Sequence, residues 1–193
     1  MTIAVSQLRS ATKAQTVSSD FDALFLAHYQ AVFRLAYRIA GTREEAEDLA
    51  QETFARLHRS PGLWAAEAGA LKGWLYRVVT NLAYNSVRGQ GRRRRREDAV
   101  FDLSASGGVA DPADLAEQAE QRDAVRGALL RLPQRQAQLL LMRHAGLSYK
   151  ELAEALGVAT GSVGTLLARA EAAFEKAYQA AYEAAYRAGE KHE

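Results

Sequence analysis

Polar side chains with the chemistry of nucleic-acid binding recur at helical spacing between residues 77 and 88. They comprise amides, a hydroxyl, a phenol and two guanidinium groups: Arg77, Thr80, Asn81, Tyr84, Asn85 and Arg88. Amide and guanidinium groups hydrogen-bond to base edges, and a tyrosine ring stacks on an unpaired base. The pattern favours binding to single-stranded nucleic acid, and a solvated basic helix end is the alternative with the same composition.

A run of five arginines, Arg92 to Arg96, follows this strip. Residues 61–96 carry eight basic groups against the single acidic Glu67, whereas residues 97–116 carry five acidic groups and no lysine or arginine. An arginine cluster neutralises phosphates, which gives affinity that falls with salt and carries no sequence information. Although the net charge of the chain is only +2, its basic residues are concentrated in one segment, which is suited to binding a polyanion.

Residues 132–170 have the pattern of a helix-turn-helix. Ser148 is placed to cap a short helix, and Glu151 three residues later completes a reciprocal capping box. Gly157 follows the last apolar residue, where a left-handed C-cap favours a residue without a side chain, and a second helix resumes near Thr160. The second helix of such a pair usually lies in a DNA major groove. An ordinary helical hairpin is the alternative.

An acidic helix is predicted after Thr42, which is placed to cap it with Glu45 as the capping-box partner. At three- and four-residue spacing, its outward face carries Glu44, Glu47, Asp48, Gln51 and Glu52. By itself such a face is most often only solvated. No polar pocket or ligand-spaced histidines accompany these carboxylates, so we expect no catalysis, no metal and no other cofactor.

The elements that position these groups are predicted to be helices throughout. The chain has 193 residues, three prolines and no cysteine, and its composition is typical of an all-α protein. We expect two small helical bundles, residues 20–96 and 112–193, joined by a flexible acidic linker at 97–111. No apolar run approaches the roughly 18 residues that cross a bilayer, and the N-terminus lacks a signal-peptide pattern. We therefore expect a cytoplasmic protein.

The two ends of the chain differ in pattern. Residues 1–19 are polar and without periodicity, which predicts a mobile tail and a first helix that begins near Asp20. In the C-terminal extension, aromatic residues recur every four positions: Phe174, Tyr178, Tyr182 and Tyr186. This spacing predicts a helix that covers its own domain with an aromatic seam, or else a docking edge for a partner.

In their order and spacing, these segments resemble the extracytoplasmic-function (ECF) sigma factors of bacteria over about residues 20–178. Residues 47–54, EDLAQETF, resemble the family's signature for docking on RNA polymerase core. Residues 74–77, WLYR, with Asn81 and Arg88 resemble the segment that recognises and opens the minus-ten promoter element. Three further stretches resemble the domain that contacts the minus-thirty-five element: Leu132-Pro133, Gly146 to Tyr149, and Glu151 to Ala153.

The resemblance implies a non-enzymatic sigma factor that directs transcription initiation by binding promoter DNA and the clamp helices and flap of core polymerase. It leaves room for an anti-sigma factor as a further partner. The polymerase-binding residues would be Glu47, Asp48, Gln51 and Glu52. Minus-ten DNA would be bound by Arg77, Thr80, Asn81, Tyr84, Asn85, Arg88, Arg92 and Arg93. The minus-thirty-five element would be bound by Tyr149, Lys150, Ser162, Thr165 and Arg169.

The resemblance also implies roles for two connecting segments. The loop at residues 60–69 would form a pocket for a promoter base that has left the stack. The acidic linker would thread the positively lined RNA exit path of the polymerase.

The chain departs from the family pattern in both DNA-binding segments. Thr80 and Asn85 stand where the family usually has a basic residue and an aspartate. Only Arg169 remains cationic in the second helix of the C-terminal motif, because the other usually polar or basic positions hold Gly164, Leu166, Ala168 and Glu171. Each lost phosphate contact removes a counterion-release contribution, so we expect weak upstream binding with a shallow salt dependence.

Two other functions are compatible with parts of the sequence. A helix-turn-helix regulator that acts without polymerase accounts for the C-terminal motif and leaves the acidic helix unexplained. A protein-interaction adaptor accounts for a recognition helix that has lost its charges. Binding to core polymerase separates both from a sigma factor. No motif identifies the promoter sequence or the inducing signal.

Overall fold

A computed structural model describes residues 2–94 and 112–189. Within these ranges the chain forms no β-strand, and the all-α prediction is confirmed. Its helices are α1 (Thr2–Ala40), α2 (Arg43–His58), α3 (Ala68–Arg94), α4 (Pro112–Arg131), α5 (Gln134–His144), α6 (Tyr149–Leu156) and α7 (Val163–Gly189). Short 3-10 turns lie at Pro61–Leu63 and Thr160–Ser162. None of the described helices is both long and apolar enough to cross a membrane. The predicted linker at 97–111 lies outside the described residues.

Helix α1 begins earlier than the sequence pattern predicted. Residues 2–19, predicted to be a mobile tail, form one continuous helix with the segment that follows Asp20. These residues lack an apolar period, but they also lack proline and glycine. Once packed residues have nucleated a helix, each added residue forms one hydrogen bond, so the helix extends until a breaker ends it. The C-terminal end lies where predicted, at Gly41 with a φ of +89°.

Helices α1, α2 and α3 form the N-terminal bundle. Their apolar faces meet in a core that includes Val32, Ile39, Phe54, Leu75 and Val79, none more than 2% exposed. The Thr42 hydroxyl caps α2 by accepting a hydrogen bond from the Glu45 amide at 3.4 Å. The predicted loop between α2 and α3 is shorter than expected, because a 3-10 turn occupies its start and α3 begins at Ala68.

Helices α4 to α7 form the C-terminal bundle, and its local predictions are confirmed. Ser148 and Glu151 form the reciprocal capping box of α6, and Gly157 ends that helix in the left-handed region at a φ of +65°. Phe174 of α7 packs against the core and lies 5.9 Å from the stacked ring of Tyr178. This supports a helix that covers its own domain. The side chains of Tyr182 and Tyr186 lie outside those that the structure describes.

The two bundles are packed against each other. Helix α3 contacts α5 and α6, and α1 contacts α4. The buried apolar residues of both bundles form one continuous cluster. Helix α3, which carries the predicted base-binding strip, is therefore part of the junction between the bundles.

Candidate nucleic-acid interface

The inner part of the predicted α3 strip lies against α5 of the C-terminal bundle. Thr80 is fully buried, and its hydroxyl donates to the Tyr76 carbonyl at 2.7 Å and accepts from Gln138 Nε2 at 3.0 Å. The Asn81 Oδ1 atom accepts from Nε2 of Gln138 at 2.6 Å and from Nε2 of Gln134 at 2.8 Å. Both side chains were predicted to contact DNA. In this arrangement α5 occupies that position.

Tyr84 is a core residue in this arrangement. Its ring is 1% exposed, its hydroxyl donates to the Leu129 carbonyl at 3.0 Å, and burial raises its pKa. The ring therefore has no open face on which a base could stack. Stacking by Tyr84, predicted from the sequence, requires a rearrangement that removes Leu129 from the hydroxyl.

The outer part of the strip is open. Arg77, Asn85 and Arg88 are exposed. The two guanidinium groups contact the C-terminal bundle, with Arg77 Nη1 at 3.3 Å from the Ala155 carbonyl oxygen and Arg88 Nη1 at 3.4 Å from Gln134 Oε1. Arg92 and Arg93 lie in the last turn of α3. The strip thus divides into two guanidinium groups and one amide that solvent reaches, and a covered set formed by Thr80, Asn81 and Tyr84.

The acidic face of α2 is exposed at its centre. Asp48 and Gln51 are solvent-facing, as predicted. Two neighbouring carboxylates are half-buried and paired within the helix, with Arg43 Nε at 2.8 Å from Glu47 Oε1 and Arg56 Nε at 2.8 Å from Glu52 Oε1. Hydrogen bonding from Arg56 lowers the pKa of Glu52. The face therefore presents the held carboxylates of Glu47 and Glu52 and the solvent-exposed amide of Gln51.

A shallow apolar pocket of about 410 Å³ adjoins this acidic face. It is lined by the rings of Phe21, Phe25 and Phe54, with Gln51 and Arg59 at its polar edge. No prediction from the sequence anticipated this pocket. Its one signal in the sequence is that the apolar stripe of α1 is wider than one partner helix covers.

The loop between α2 and α3 is held by Trp64. Its indole nitrogen donates to the Leu57 carbonyl at 2.9 Å, and its ring lies 5.5 Å from the ring of Phe21. Trp64 therefore anchors the loop to α2 and α1. The pocket for a flipped-out base in this loop stays a prediction.

The helix-turn-helix presents its predicted DNA face to solvent. All five side chains assigned to the minus-thirty-five element are exposed: Tyr149, Lys150, Ser162, Thr165 and Arg169. The Arg143 guanidinium lies 5.5 Å from the centre of the Tyr149 ring. Leu166, one of the positions without charge, is half-buried against the core.

Two groups of residues at the junction were missed by the sequence analysis. The first comprises Gln134 and Gln138 of α5, whose amides contact α3. The second comprises Gly69 and Gly73 of α3, which face α6. Glutamines in a helix and glycines near its start have no distinctive pattern in one sequence.

Together, the two bundles define a class of protein with an exposed acidic helix, a basic helix and a helix-turn-helix in one chain. Sequence comparison gives the same class. Residues 24–93 match the sigma-70 region 2 family, and residues 122–174 match the sigma-70 region 4 family.

Curated relatives narrow the class. The chain is 35% identical over 154 residues to the ECF RNA polymerase sigma factor SigE of Mycolicibacterium smegmatis. This match covers 79% of this chain and 59% of that protein. It is 34% identical over 153 residues to the ECF RNA polymerase sigma factor SigM of Mycobacterium tuberculosis, covering 79% of this chain and 74% of that protein. The chain thus spans less than two thirds of SigE. It belongs to the ECF sigma factor family.

A solved structure shares the fold. The sigma factor RpoE of Bartonella quintana, crystallised in complex with the anti-sigma factor NepR, matches with a TM-score of 0.57 and 25% sequence identity. The match covers 83% of this chain and 97% of that one.

Proposed function

We propose that the protein is a sigma factor that binds core RNA polymerase through α2, recognises a promoter through α3 and α7, and starts promoter opening at the minus-ten element. It catalyses no reaction itself, and it acts in the cytoplasm, where the polymerase is. The observation that carries the proposal is the conjunction of an exposed acidic α2 with an exposed helix-turn-helix in one chain. A regulator without polymerase has no use for the first surface.

The polymerase contact is assigned to the centre of the α2 face. Asp48 and Gln51 are exposed there, and Glu47 and Glu52 hold fixed charge beside them. Acidic-to-basic matching sets the orientation of docking and raises its rate, so the partner surface is expected to be basic. The adjoining apolar pocket lies at the edge of the same surface.

The assignment is tested with the double variant Asp48→Lys, Gln51→Ala. Both side chains are exposed, so the helical circular dichroism should be unchanged while the affinity for purified core polymerase falls. Glu175→Lys, a charge reversal at an exposed site on α7, is the matched control and should bind core normally. Unchanged core affinity in the double variant would show that α2 is not the contact.

Promoter recognition is tested by transcription with purified core on a library of promoters. A sigma factor gives initiation at a restricted set of sequences, and none without the protein. Binding to core without initiation at any promoter would support an adaptor instead, and DNA binding without core binding would support a separate regulator. An anti-sigma factor, the partner in the RpoE structure, is a further expected partner.

A further inference from the structure

The start of α7 has little charge of its own with which to hold DNA. Arg169 is the only basic residue between Val163 and Phe174. The residues of a recognition helix that contact base edges lie mostly in its first turns, and contacts to phosphates fix the helix in the groove. Any cation that holds a phosphate beside the first turn of α7 therefore has to come from another helix.

The last turn of α5 contains such a cation. Arg143 is exposed, and its Nη1 atom donates to the Leu147 carbonyl at 3.0 Å. Its ζ-carbon lies 5.5 Å from the centre of the Tyr149 ring. A guanidinium group over an aromatic face is attracted by the ring quadrupole, and the rotamers of a long side chain are restricted when both of its contacts are kept. The guanidinium group of Arg143 is therefore held in place before a ligand binds.

The charge of Arg143 is left uncompensated. Among the described residues, Arg143 forms no ion pair with a carboxylate. Lys150 differs, because its Nζ atom lies 4.0 Å from Glu154 Oε1. An arginine has five N–H donors in a planar fork, which matches two oxygens of a phosphate. The donors of Arg143 that do not bind the Leu147 carbonyl are thus suited to a phosphate.

Tyr149 connects this cation to the recognition helix. A β-carbon at Gly164 would lie 3.8 Å from Tyr149 Cε2, so the edge of the ring lies beside the first turn of α7. Tyr149 is 46% exposed, and Thr165 in the same turn of α7 is also exposed. The ring therefore spans from α5 to α7 at the surface, and it places Arg143 beside the residues that would enter the groove.

We propose that Arg143, positioned by the ring of Tyr149, binds a phosphate of the promoter duplex beside the groove that α7 enters, and so supplies from α5 a charge that α7 lacks. The inference rests on the proposed function, because it takes α7 as the recognition helix. Arg143 touches the DNA in this contact, and Tyr149 acts on it as a positioning residue. A phosphate contact carries no sequence information, so it adds affinity to every sequence that α7 recognises.

The salt dependence of DNA binding measures the contact. Holoenzyme is titrated onto a fluorescent duplex that spans the minus-thirty-five element of a promoter from the library. Arg143→Met removes one cation, so the slope of log affinity against log salt should become shallower by about 0.9, with up to about tenfold weaker binding at low salt.

Two variants control for charge and for folding. Arg135→Met removes a cation from the other end of α5, where the exposed Arg135 lies 3.5 Å from the Leu156 carbonyl. Its slope should equal that of the unchanged protein. Arg143→Lys retains the charge and should retain the slope, and helical circular dichroism checks that each variant is folded.

The role of Tyr149 is tested through Arg143. Tyr149→Phe retains the aromatic face and should leave the slope unchanged, whereas Tyr149→Leu releases the guanidinium group and should weaken binding. The losses from Tyr149→Leu and Arg143→Met should be less than additive in the double variant, because both remove the same contact. Additive losses would show that Tyr149 does not position Arg143.

A charge placed directly on α7 tests the compensation. Position 164 admits a side chain, because its β-carbon would lie at an ordinary van der Waals distance from Tyr149. Added to Arg143→Met, Gly164→Lys should therefore steepen the slope again by about 0.9. A slope that stays shallow would contradict the placement of Arg143 beside the first turn of α7.

The outcomes separate the inference from the proposed function. If the unchanged holoenzyme initiates at a promoter but Arg143→Met has the same slope as the unchanged protein or the same loss as Arg135→Met, the inference is overturned and the proposed function stands. If the unchanged holoenzyme initiates at no promoter in the library, the proposed function fails and the inference fails with it.

Discussion

The two surfaces predicted to contact DNA, on α3 and on α7, differ in both exposure and chemistry. The inner strip of α3 has hydroxyl, amide and phenol groups suited to base recognition, and α4 and α5 cover it. The face of α7 is open to solvent and has lost most of the charge that would hold it on a phosphate backbone. The α7 face is thus accessible but poorly charged for binding phosphates, whereas the α3 strip has groups suited to base recognition but is covered. We therefore expect the chain to bind promoters poorly alone and to depend for DNA affinity on the polymerase proposed as its partner.

The largest expected effect that tests this contrast is at Tyr84. Truncating a buried aromatic side chain to alanine costs about 3–5 kcal/mol in free energy of unfolding, and the Leu129 carbonyl would also lose its donor. Tyr84→Ala should therefore lower the midpoint of denaturant unfolding strongly. Tyr84→Phe keeps the ring and should cost only about 1 kcal/mol. An unchanged midpoint in Tyr84→Ala would mean that the ring is available for stacking in the free protein.

The next effect concerns the depleted face of α7. Ala168 is exposed there, and each new phosphate contact steepens the dependence of log affinity on log salt by about 0.9. Ala168→Arg should therefore increase holoenzyme affinity for upstream promoter DNA up to about tenfold at low salt. Ala180→Arg, also exposed and three turns further along α7, is the matched control.

The same contrast predicts how the unchanged protein responds to promoter changes. Scrambling the minus-thirty-five element should reduce initiation less than scrambling the minus-ten element over a range of salt. Equal losses would show that α7 binds DNA normally despite its missing charges.

A smaller effect distinguishes two glycines of α3. Gly89 lies in open space, so Gly89→Ala should stabilise the helix by about 0.5–1 kcal/mol. At Gly73 the added β-carbon would lie 3.0 Å from the Ala155 β-carbon, so Gly73→Ala should gain less or destabilise the protein. Thermal unfolding of the two variants checks the difference in sign. Equal stabilisation would show that α6 does not approach α3 so closely.

The smallest effect is a pH dependence at the cap of α6. Hydrogen bonding to the Ser148 amide lowers the pKa of Glu151 below its ordinary value of 4.5. A carboxylate with a lowered folded-state pKa stabilises the fold above its unfolded value and loses that contribution as pH falls through the folded value. Glu151→Gln should thus reduce the melting temperature at pH 7, and the difference should shrink below pH 4.5. A difference independent of pH would contradict the ionised cap.

Features set by neighbouring residues were predictable from the sequence. Ser148, Glu151 and Gly157 act within one turn of their own helix, so their types and spacing sufficed. The exposure of Asp48 and Gln51 followed from the apolar period of the opposite face.

The junction was not predictable, because its contacts join distant residues. Gln138 meets Thr80 across a separation of 58 residues, and no local pattern marks either as a partner of the other. Tyr84 shows why the surroundings of the strip on α3 could not be predicted from residue types. A tyrosine combines an apolar ring with one polar group, so the same residue type suits a stacked base or a core position with one hydrogen bond. Only the packing of α4 decides between them.

Arg126 has a consequence for the order of events during synthesis. It completes the end of α1 by binding the Ala40 carbonyl, although the two residues are 86 positions apart in the chain. At the usual rate of translation, about 5–20 residues per second, Ala40 is added to the chain roughly 4–17 s before this arginine. The N-terminal bundle therefore emerges with the α3 strip uncovered. A nascent chain of this protein would pass once through this uncovered state before its C-terminal bundle exists to cover the strip.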